Sequence, residues 1–516
     1  KEQLAFAGLV DVGAQAGRNG NILLDPTHLV ITDGPAPANT ASTNYVSSTA
    51  VESMTGDVLF SAPDGITIES LSDGELQFQN GTAVTFEANT NNDAVGAFSM
   101  DSTNSLTSRS GSFEIYGAGV TLGSVNTDIS GNDGGNITIN SSAGVTATSI
   151  STNSYLGSGE NDSGGNVMIT ADGGDIVINN RIKSWSYSNE EGSGGAVTLL
   201  ASDGNIFVET PPTGFEAIES YAIADTGNAG AGGTGTQSAP NGDIRIDGIR
   251  SSAVSFTDKA RDAGIVQANA INIQISNINS RAASTGTAAQ AGSITLNAHN
   301  RIEVGGLRAT GSRSGVANEI ILTGETIDLI GGAGSVQARA LSLIPTSNSR
   351  SITLGQLAPA NLLNPPGLAA LNIWQQDLAA ANNVDIIYVG SENSTGGVSL
   401  FDSAIANPTP IHVLGGQRLV GSNSDTLFAL TGSGAGSIGN SQITFANIEQ
   451  FDGGPGGNNA LSFNGTNALW KIEGADQGSL QGVDGEIATF QTISQIASSA
   501  TLVTNDQTEQ EVRYTT

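Results

Sequence analysis

Arg181-Ile182-Lys183 sets two cations on either side of an aliphatic residue. Such cations help break a sugar linkage when two or three carboxylates on adjacent coils polarise the sugar and move its proton. No Asp-Asp pair and no Gly-His-Gly sequence accompanies the triplet, so it reads as a solvated basic patch and no catalytic residue is assigned. His28, His299 and His412 lie far apart, and none belongs to an HExxH or similar ligand pair. No G-x-S-x-G elbow stands between a strand and a helix, so no nucleophile is assigned. Gly230 to Gly235 and Gly434 to Gly439 match G-x-G-x-x-G, a pattern that cradles phosphate only between a strand and a helix. Neither precedes a helical pattern, and Gly-Lys, needed for a Walker A loop, does not occur. Asp452, Asn458 and Asn459, around the Gly-rich stretch GGPGGNNALSF, are the candidate calcium ligands. Calcium takes about six to eight oxygens and this unit is single, so a structural turn is the favoured reading and no other cofactor is expected.

Residues so sparse in chemistry need a scaffold, and composition narrows which. The chain has 516 residues, of which 68 are Gly and 38% are hydrophobic. That is too apolar for a disordered Gly-rich polymer and too Gly-rich for ordinary globular domains. The 49 acidic and 18 basic residues give a net charge of −31, a field that repels nucleic acid and anionic membrane surfaces. Cysteine is absent, which excludes disulfides and Cys-ligated metals and suits a protein exported unfolded. Without an apolar run near 18 residues or a signal peptide at Lys1, neither membrane insertion nor a leader is expected, and the chain reads as a mature or excised segment.

The elements are marked by a recurring punctuation: small residues, then Asn, Asp or Ser, then alternating apolar residues. GGNITI, GGNVMI and GGAVTL begin at Gly134, Gly164 and Gly194, 30 residues apart. NGDIRI at Asn241 and AGSITL at Ala291 continue the series at wider spacing. A second short strand follows each first one, as Ile176 and Ile178 follow Val167 and Ile169. Strands this short bury an apolar face only by stacking on neighbouring coils. The predicted fold is therefore all-β, a right-handed parallel β-helix with loop insertions, forming a rod on the order of 100 Å. Gly before each strand is expected to supply positive φ at a corner, with Asn ladders reinforcing it. Residues 367–383, after Pro365 and Pro366, are expected to form a short flanking helix using Leu368, Leu371, Trp374 and Leu378. Strands resume at Val384 to Val389, and a polar tail begins near Asn505. The expected division is 1–345 β-helix repeats, 346–425 variant coils with the helix, and 426–516 C-terminal coils and tail. Contact loops are expected at Glu209 to Ala239, with Phe215 and Tyr221, and at Trp185 to Tyr187.

NILLDPTHLVITDG (Asn21 to Gly34), GTAVTFEA (Gly81 to Ala88) and GSFEIYGAGVTLG (Gly111 to Gly123) resemble the cyanobacterial branch of the filamentous haemagglutinin-like exoproteins. Ile443 to Gly465 and Ala468 to Leu480 are similar to C-terminal repeats of that group. The resemblance covers most of the chain. It implies a secreted bacterial surface fibre or adhesin, exported by two-partner secretion through an outer-membrane transporter. Its expected location is extracellular, on the outer surface of the bacterium. The family's amino-terminal secretion domain is not recognisable, and Asn364-Pro365 and Asn407-Pro408 lack its secretion motif. Expected partners are cell-surface or glycan receptors and other copies of the chain, joined through unpaired strand edges. A carbohydrate-active β-helix enzyme is the alternative.

Overall fold

The computed structural model describes residues 10–13, 20–40, 42–91, 95–155, 162–188, 191–210, 216–225, 227–285, 289–311, 318–358, 370–455, 457–463, 469–482, 485–498, 501–504 and 513–514. It is nearly all β, with 52% strand and 3% helix, and is mostly parallel, so the all-β solenoid read from the repeats is the fold. The chain forms two units, residues 1–295 with 308–318, and residues 296–307 with 319–516.

In the first unit the punctuated strands stack in register. Val58 pairs with Val84, Val84 with Phe113, Phe113 with Ile137, Ile137 with Val167, and Val167 with Val197. All six are buried, because alternation turns one side of every strand inward and parallel register puts like on like. Each coil adds a second strand, as at Val145–Ala147, Ile176–Ile178 and Ile206–Val208. A third follows, as at Ser149–Ser151, Ile182–Lys183, Ile218–Glu219 and Ile249–Arg250. A separate 6-stranded sheet closes the coils, running from Ile129–Ser130 through Ser154–Tyr155, Ser186–Tyr187, Ala222–Ala224 and Ala253–Ser255 to Ala282–Ala283. Early coils are filled by aromatics, with Phe60 and Phe86 stacked at 4.8 Å, and the closing sheet covers a core of alanines that includes Ala224, Ala253 and Ala282.

The paired glycines do something other than turn a corner. None of Gly134, Gly135, Gly164, Gly165, Gly194 and Gly195 has a positive φ, which corrects the expected role. A Cβ on Gly165 would instead lie under 3.0 Å from the Gly135 carbonyl oxygen, and one on Gly195 equally close to that of Gly165. Successive coils thus stack glycine on glycine, and each glycine also reaches across to a facing Thr or Ser by hydrogen bonds. Gly165 N–H donates to the Thr152 carbonyl at 2.8 Å, and the Thr152 hydroxyl donates to the Gly165 carbonyl at 2.7 Å. In later coils Gly195, Gly233 and Gly264 donate to the carbonyls of Ser184, Ser220 and Ser251. The hydroxyls of Ser184, Ser220, Ser251 and Ser280 donate to the carbonyls of Gly165, Gly195, Gly233 and Gly264. The hydroxyl residues are all buried, so the seam satisfies its own polar groups.

The expected amide ladders are present. Asn166 N–H donates to Asn136 Oδ1 and Ala196 N–H to Asn166 Oδ1, both at 2.8 Å across 30 residues. A second ladder runs from Asp175 through Asn205 and Asp243 to Asn272.

In the second unit parallel stacking continues from Glu319–Thr323 through Val336–Ile344, Asn383–Gly390 and Ile411–Leu414 to Ile443–Ala446. Two coils depart from the plain repeat. Leu427–Gly432, Ala435–Ile438 and Ile443–Ala446 form an antiparallel meander, as do Leu469–Gly474, Gln477–Gly482 and Gly485–Gln491. Gly434 at φ 62° and Asp476 at φ 57° allow their tight turns. The expected helix is shorter than read: α1 covers Gln375–Ala380, while Ala370–Trp374 is a parallel strand. Leu371 and Trp374 are thus buried from a strand and Leu378 from the helix. Pro365, Pro366 and Leu368 lie outside the described residues, as does the tail from 505 to 512. Asp377 fixes α1, since its Oδ1 accepts from Leu329 N–H at 2.9 Å and its Oδ2 from Trp374 N–H at 2.8 Å.

Two outcomes follow from these contacts. Gly165→Ala should lower the unfolding free energy in urea by about 3 kcal/mol or more, because backbone cannot yield to a methyl group. Gly119→Ala, with nothing within 4 Å of the added carbon, should change it by under about 1 kcal/mol. Burial pushes Asp377 up from 3.8 to about 7, opposed by the Leu329 and Trp374 N–H groups. A raised carboxyl binds its proton more tightly folded than unfolded, so its contribution is full below about pH 4 and lost as pH rises to 7. Urea midpoints of the native chain should therefore fall relative to Asp377→Asn across that window and run parallel above it.

Candidate functional site

The seam fixes a five-residue phrase in successive coils of the first unit: Ile150-Ser151-Thr152-Asn153-Ser154, Ile182-Lys183-Ser184-Trp185-Ser186, Ile218-Glu219-Ser220-Tyr221-Ala222 and Ile249-Arg250-Ser251-Ser252-Ala253. The first, third and fifth positions are buried in all four. They hold only Ile, then Thr or Ser, then Ser or Ala, because the core, the seam and the alanine cluster admit little else. The second and fourth positions hold the variety. The second pairs Ser151 with Lys183, Lys183 with Glu219, and Glu219 with Arg250 on adjacent strands.

The fourth position builds an aromatic ladder. The Trp185 and Tyr221 rings stack at 5.6 Å with 4° between planes, and the Arg250 guanidinium lies 4.1 Å over Tyr221. Tyr155, 37% exposed, meets Trp185 edge-on at 4.7 Å. Register then places Tyr187 beside Ile223 and Ile223 beside Val254 on the closing sheet. Stacking and a guanidinium over a ring face each contribute about 0.5–1.5 kcal/mol, so the ladder is held in place and not loosely displayed.

Charge surrounds it. Burial lowers Lys183, and the neighbouring Arg181 guanidinium lowers it further. Glu219 is 5% exposed, and burial raises it against the pull of Arg181, Lys183 and Arg250. Burial also raises Asp128, although its carboxylate accepts from the Ser151 hydroxyl at 2.7 and 2.8 Å and from Asn153 N–H at 2.7 Å. Tyr221 is pushed up to about 12 by burial and by Glu219.

Trp185 to Tyr187 and Tyr221, expected in contact loops, thus come together, but on regular coils with strands at Ile218–Glu219, Ala222–Ala224 and Gly235–Ile246. Phe215 lies outside the described residues. Arg181 and Lys183 flank the buried Ile182, and Lys183 pairs in register with Glu219. No family model, curated protein or solved structure matches the chain.

The other candidates disperse. Asp452 Oδ1 accepts from Gly454 N–H at 3.0 Å, and its Oδ2 accepts from Gln491 at 2.6 Å and from the Arg418 guanidinium. Asn459 Oδ1 accepts from Thr426 N–H at 3.0 Å, while Asn458 N–H donates to Asp425 at 2.7 Å. These oxygens already have protein donors that a cation would have to displace, an arrangement that closes a corner. Among the described residues no group of three or more His, Cys, Asp or Glu side chains is placed to hold a metal. His28 pairs with the Thr67 hydroxyl and His412 with that of Thr444, on separate coils. Gly230 to Gly235 leads into a strand, and Gly434 to Gly439 lies in the first meander. A groove of about 470 Å³ near the start of the first unit is lined by Glu52, Asp73, Glu75, Gln77, Phe78, Gln79 and Asn80. Burial raises Glu52 there, with Asp73 and Glu75 adding to the rise.

Sequence reasoning picked out Trp185 and Tyr221 singly and missed that they share a column. The signal was the five-residue phrase itself, hidden because its variable positions are the conspicuous ones. Absorbance at 295 nm should show Tyr221 still protonated at about pH 11, where an ordinary phenol is mostly ionised. Tyr221→Phe should reduce the tyrosine signal that titrates at the highest pH.

Proposed function

We propose that this chain is part of an extracellular bacterial surface protein, a structural and adhesive fibre component whose solenoid is scaffold and whose outer flank makes contact. The observation that carries this reading is the split between near-invariant inward columns and the varied, part-exposed Ser151, Lys183, Trp185, Tyr221 and Arg250 that alternate with them. A surface free to vary on a framework that cannot is the arrangement expected of recognition. Resemblance of the quoted segments to filamentous haemagglutinin-like exoproteins supports secretion through a two-partner transporter and a place on the outer surface. The charge of −31 fits contact with neither nucleic acid nor bare anionic membrane. Pairing between copies of the chain belongs to the same reading as a second mode of fibre growth.

One observation favours the carbohydrate-cleaving alternative. The groove of Glu52, Asp73 and Glu75 sets a carboxyl raised by burial, and further by its neighbours, beside two others, the kind of pairing that acid–base cleavage of sugars uses.

Labelled full-length chain should bind intact cells or isolated envelopes saturably and release no reducing or unsaturated sugar ends from envelope polysaccharide. Lack of saturable attachment would contradict the adhesive reading. Sugar release that is lost in Glu52→Gln would establish the enzymatic one.

A further inference from the structure

The chain has no cysteine, so a covalent tie between coils would need other side chains, and one group in the first unit has the parts. Asp128, Asn153 and Trp185 follow one another on three successive coils, since Ile129 pairs with Ser154 and Ser154 with Ser186. Asn153 is fully buried. Its side-chain carbonyl accepts from Trp185 N–H at 3.1 Å, which draws electrons away from Cγ. Its Nδ2 donates to the Ser151 hydroxyl at 2.9 Å and to Asp128 Oδ2 at 3.4 Å, so a carboxyl faces the amide nitrogen. The Asn153 backbone N–H holds that carboxyl in place through Oδ1 at 2.7 Å.

An amine stands one coil on. Ser151 and Lys183 are register partners, which makes Asn153 the diagonal neighbour of Lys183 on the same side of the sheet. Such neighbours lie about 7–8 Å apart, within the span of a long side chain. Asp128, on the far side of Asn153, acts on Lys183 ahead of Glu219, its register partner on the next coil. Burial lowers Lys183 and Arg181 lowers it further, while burial raises Asp128. The pair is thereby shifted toward a neutral amine and a carboxylic acid, and an amine attacks carbon only without its extra proton.

We propose that Lys183 and Asn153 join in a side-chain amide bond, with Asp128 as the acid that frees ammonia. Asp128 takes a proton from the Lys183 ammonium, and Lys183 Nζ attacks Asn153 Cγ while Trp185 N–H holds the oxygen on which charge develops. The Nζ–Cγ bond forms, Asp128 returns its proton to Nδ2, the Cγ–Nδ2 bond breaks, and ammonia leaves. The new amide nitrogen gives its surplus proton to the Asp128 carboxylate, so no oxidant or other reactant is needed. The bond closes residues 153–183 into a ring and ties two coils beneath the aromatic ladder, the constraint that a disulfide supplies elsewhere. This tie is independent of any adhesive role.

The test is mass spectrometry of the full folded chain, intact and after trypsin. The native mass should lie one ammonia below that of the sequence. Trypsin should leave the bond after Lys183 uncut and yield residues 110–181 joined to residues 182–245. Lys183→Arg, which keeps the cation but offers no amine, and Asp128→Asn, which keeps both partners but removes the acid, should each show the full sequence mass with an unchanged circular dichroism spectrum. A native chain of full sequence mass would overturn the proposal. So would an ammonia loss carried by residues 110–181 alone with cleavage after Lys183 intact, the mark of an Asn that has cyclised on its own backbone. A loss that persists in either variant would contradict it equally.

Discussion

Where Gly165 meets Thr152, two walls of one coil come to hydrogen-bond distance with only the small Thr152 side chain at the junction, and each supplies the other's hydrogen-bond partner. A parallel solenoid usually separates its walls by packed apolar side chains, as the Phe60 and Phe86 coils of this chain do. At the seam each glycine stacks on that of the preceding coil, so a Cβ at Gly165, Gly195, Gly233 or Gly264 would strike the glycine carbonyl one coil before it. The facing position must then be small and must donate one hydrogen bond inward, so it is Thr or Ser. Burying these polar groups is tolerable because the pairing is complete; an unmatched buried donor or acceptor costs about 1–3 kcal/mol.

That constraint reaches the surface through the two-residue period of a strand. Fixing Ser184 inward and Ile182 inward leaves Lys183 and Trp185 outward, and parallel register lines them up with Glu219 and Tyr221. The aromatic ladder is therefore a consequence of the seam: side chains cannot slip by one residue without driving a Trp or a Lys into a wall that has no room. Recognition surfaces built on loops must order themselves on binding, whereas these rings are already stacked and Arg250 already covers Tyr221.

The solenoid was legible in the sequence because stacking repeats the same inward residue in every coil, and the even spacing from Gly134 to Gly194 survives as strand register. The amide ladders at Asn136 and Asn166 were legible for the same reason. The role of the glycines was not, since a residue needed for φ and a residue needed for closeness are written with the same letter. The helix at 367–383 was overread because Leu371, Trp374 and Leu378 satisfy a helical spacing while the first two are in fact buried by a strand's neighbours. The meanders at 427–446 and 469–491 carry alternation that a plain coil also has, and only the Gly and Asp turn residues separate the two. The aromatic flank was visible only in fragments, because a column across coils has no signature along the chain.

Amide hydrogen exchange tests the seam most directly. The segments holding Gly134–Gly135, Gly164–Gly165, Gly194–Gly195 and Gly232–Gly233 lie outside every strand and would exchange within seconds if they were ordinary Gly-rich loops. If the walls are joined as described, these amides exchange as slowly as those of Val167–Ala171 and Val197–Ala201, and Gly165→Ala speeds exchange in its own and both adjacent coils. Fast exchange at the glycine pairs alongside protected strands would contradict the account, leaving coils held by their sheets alone and the aromatic ladder without its fixed foundation.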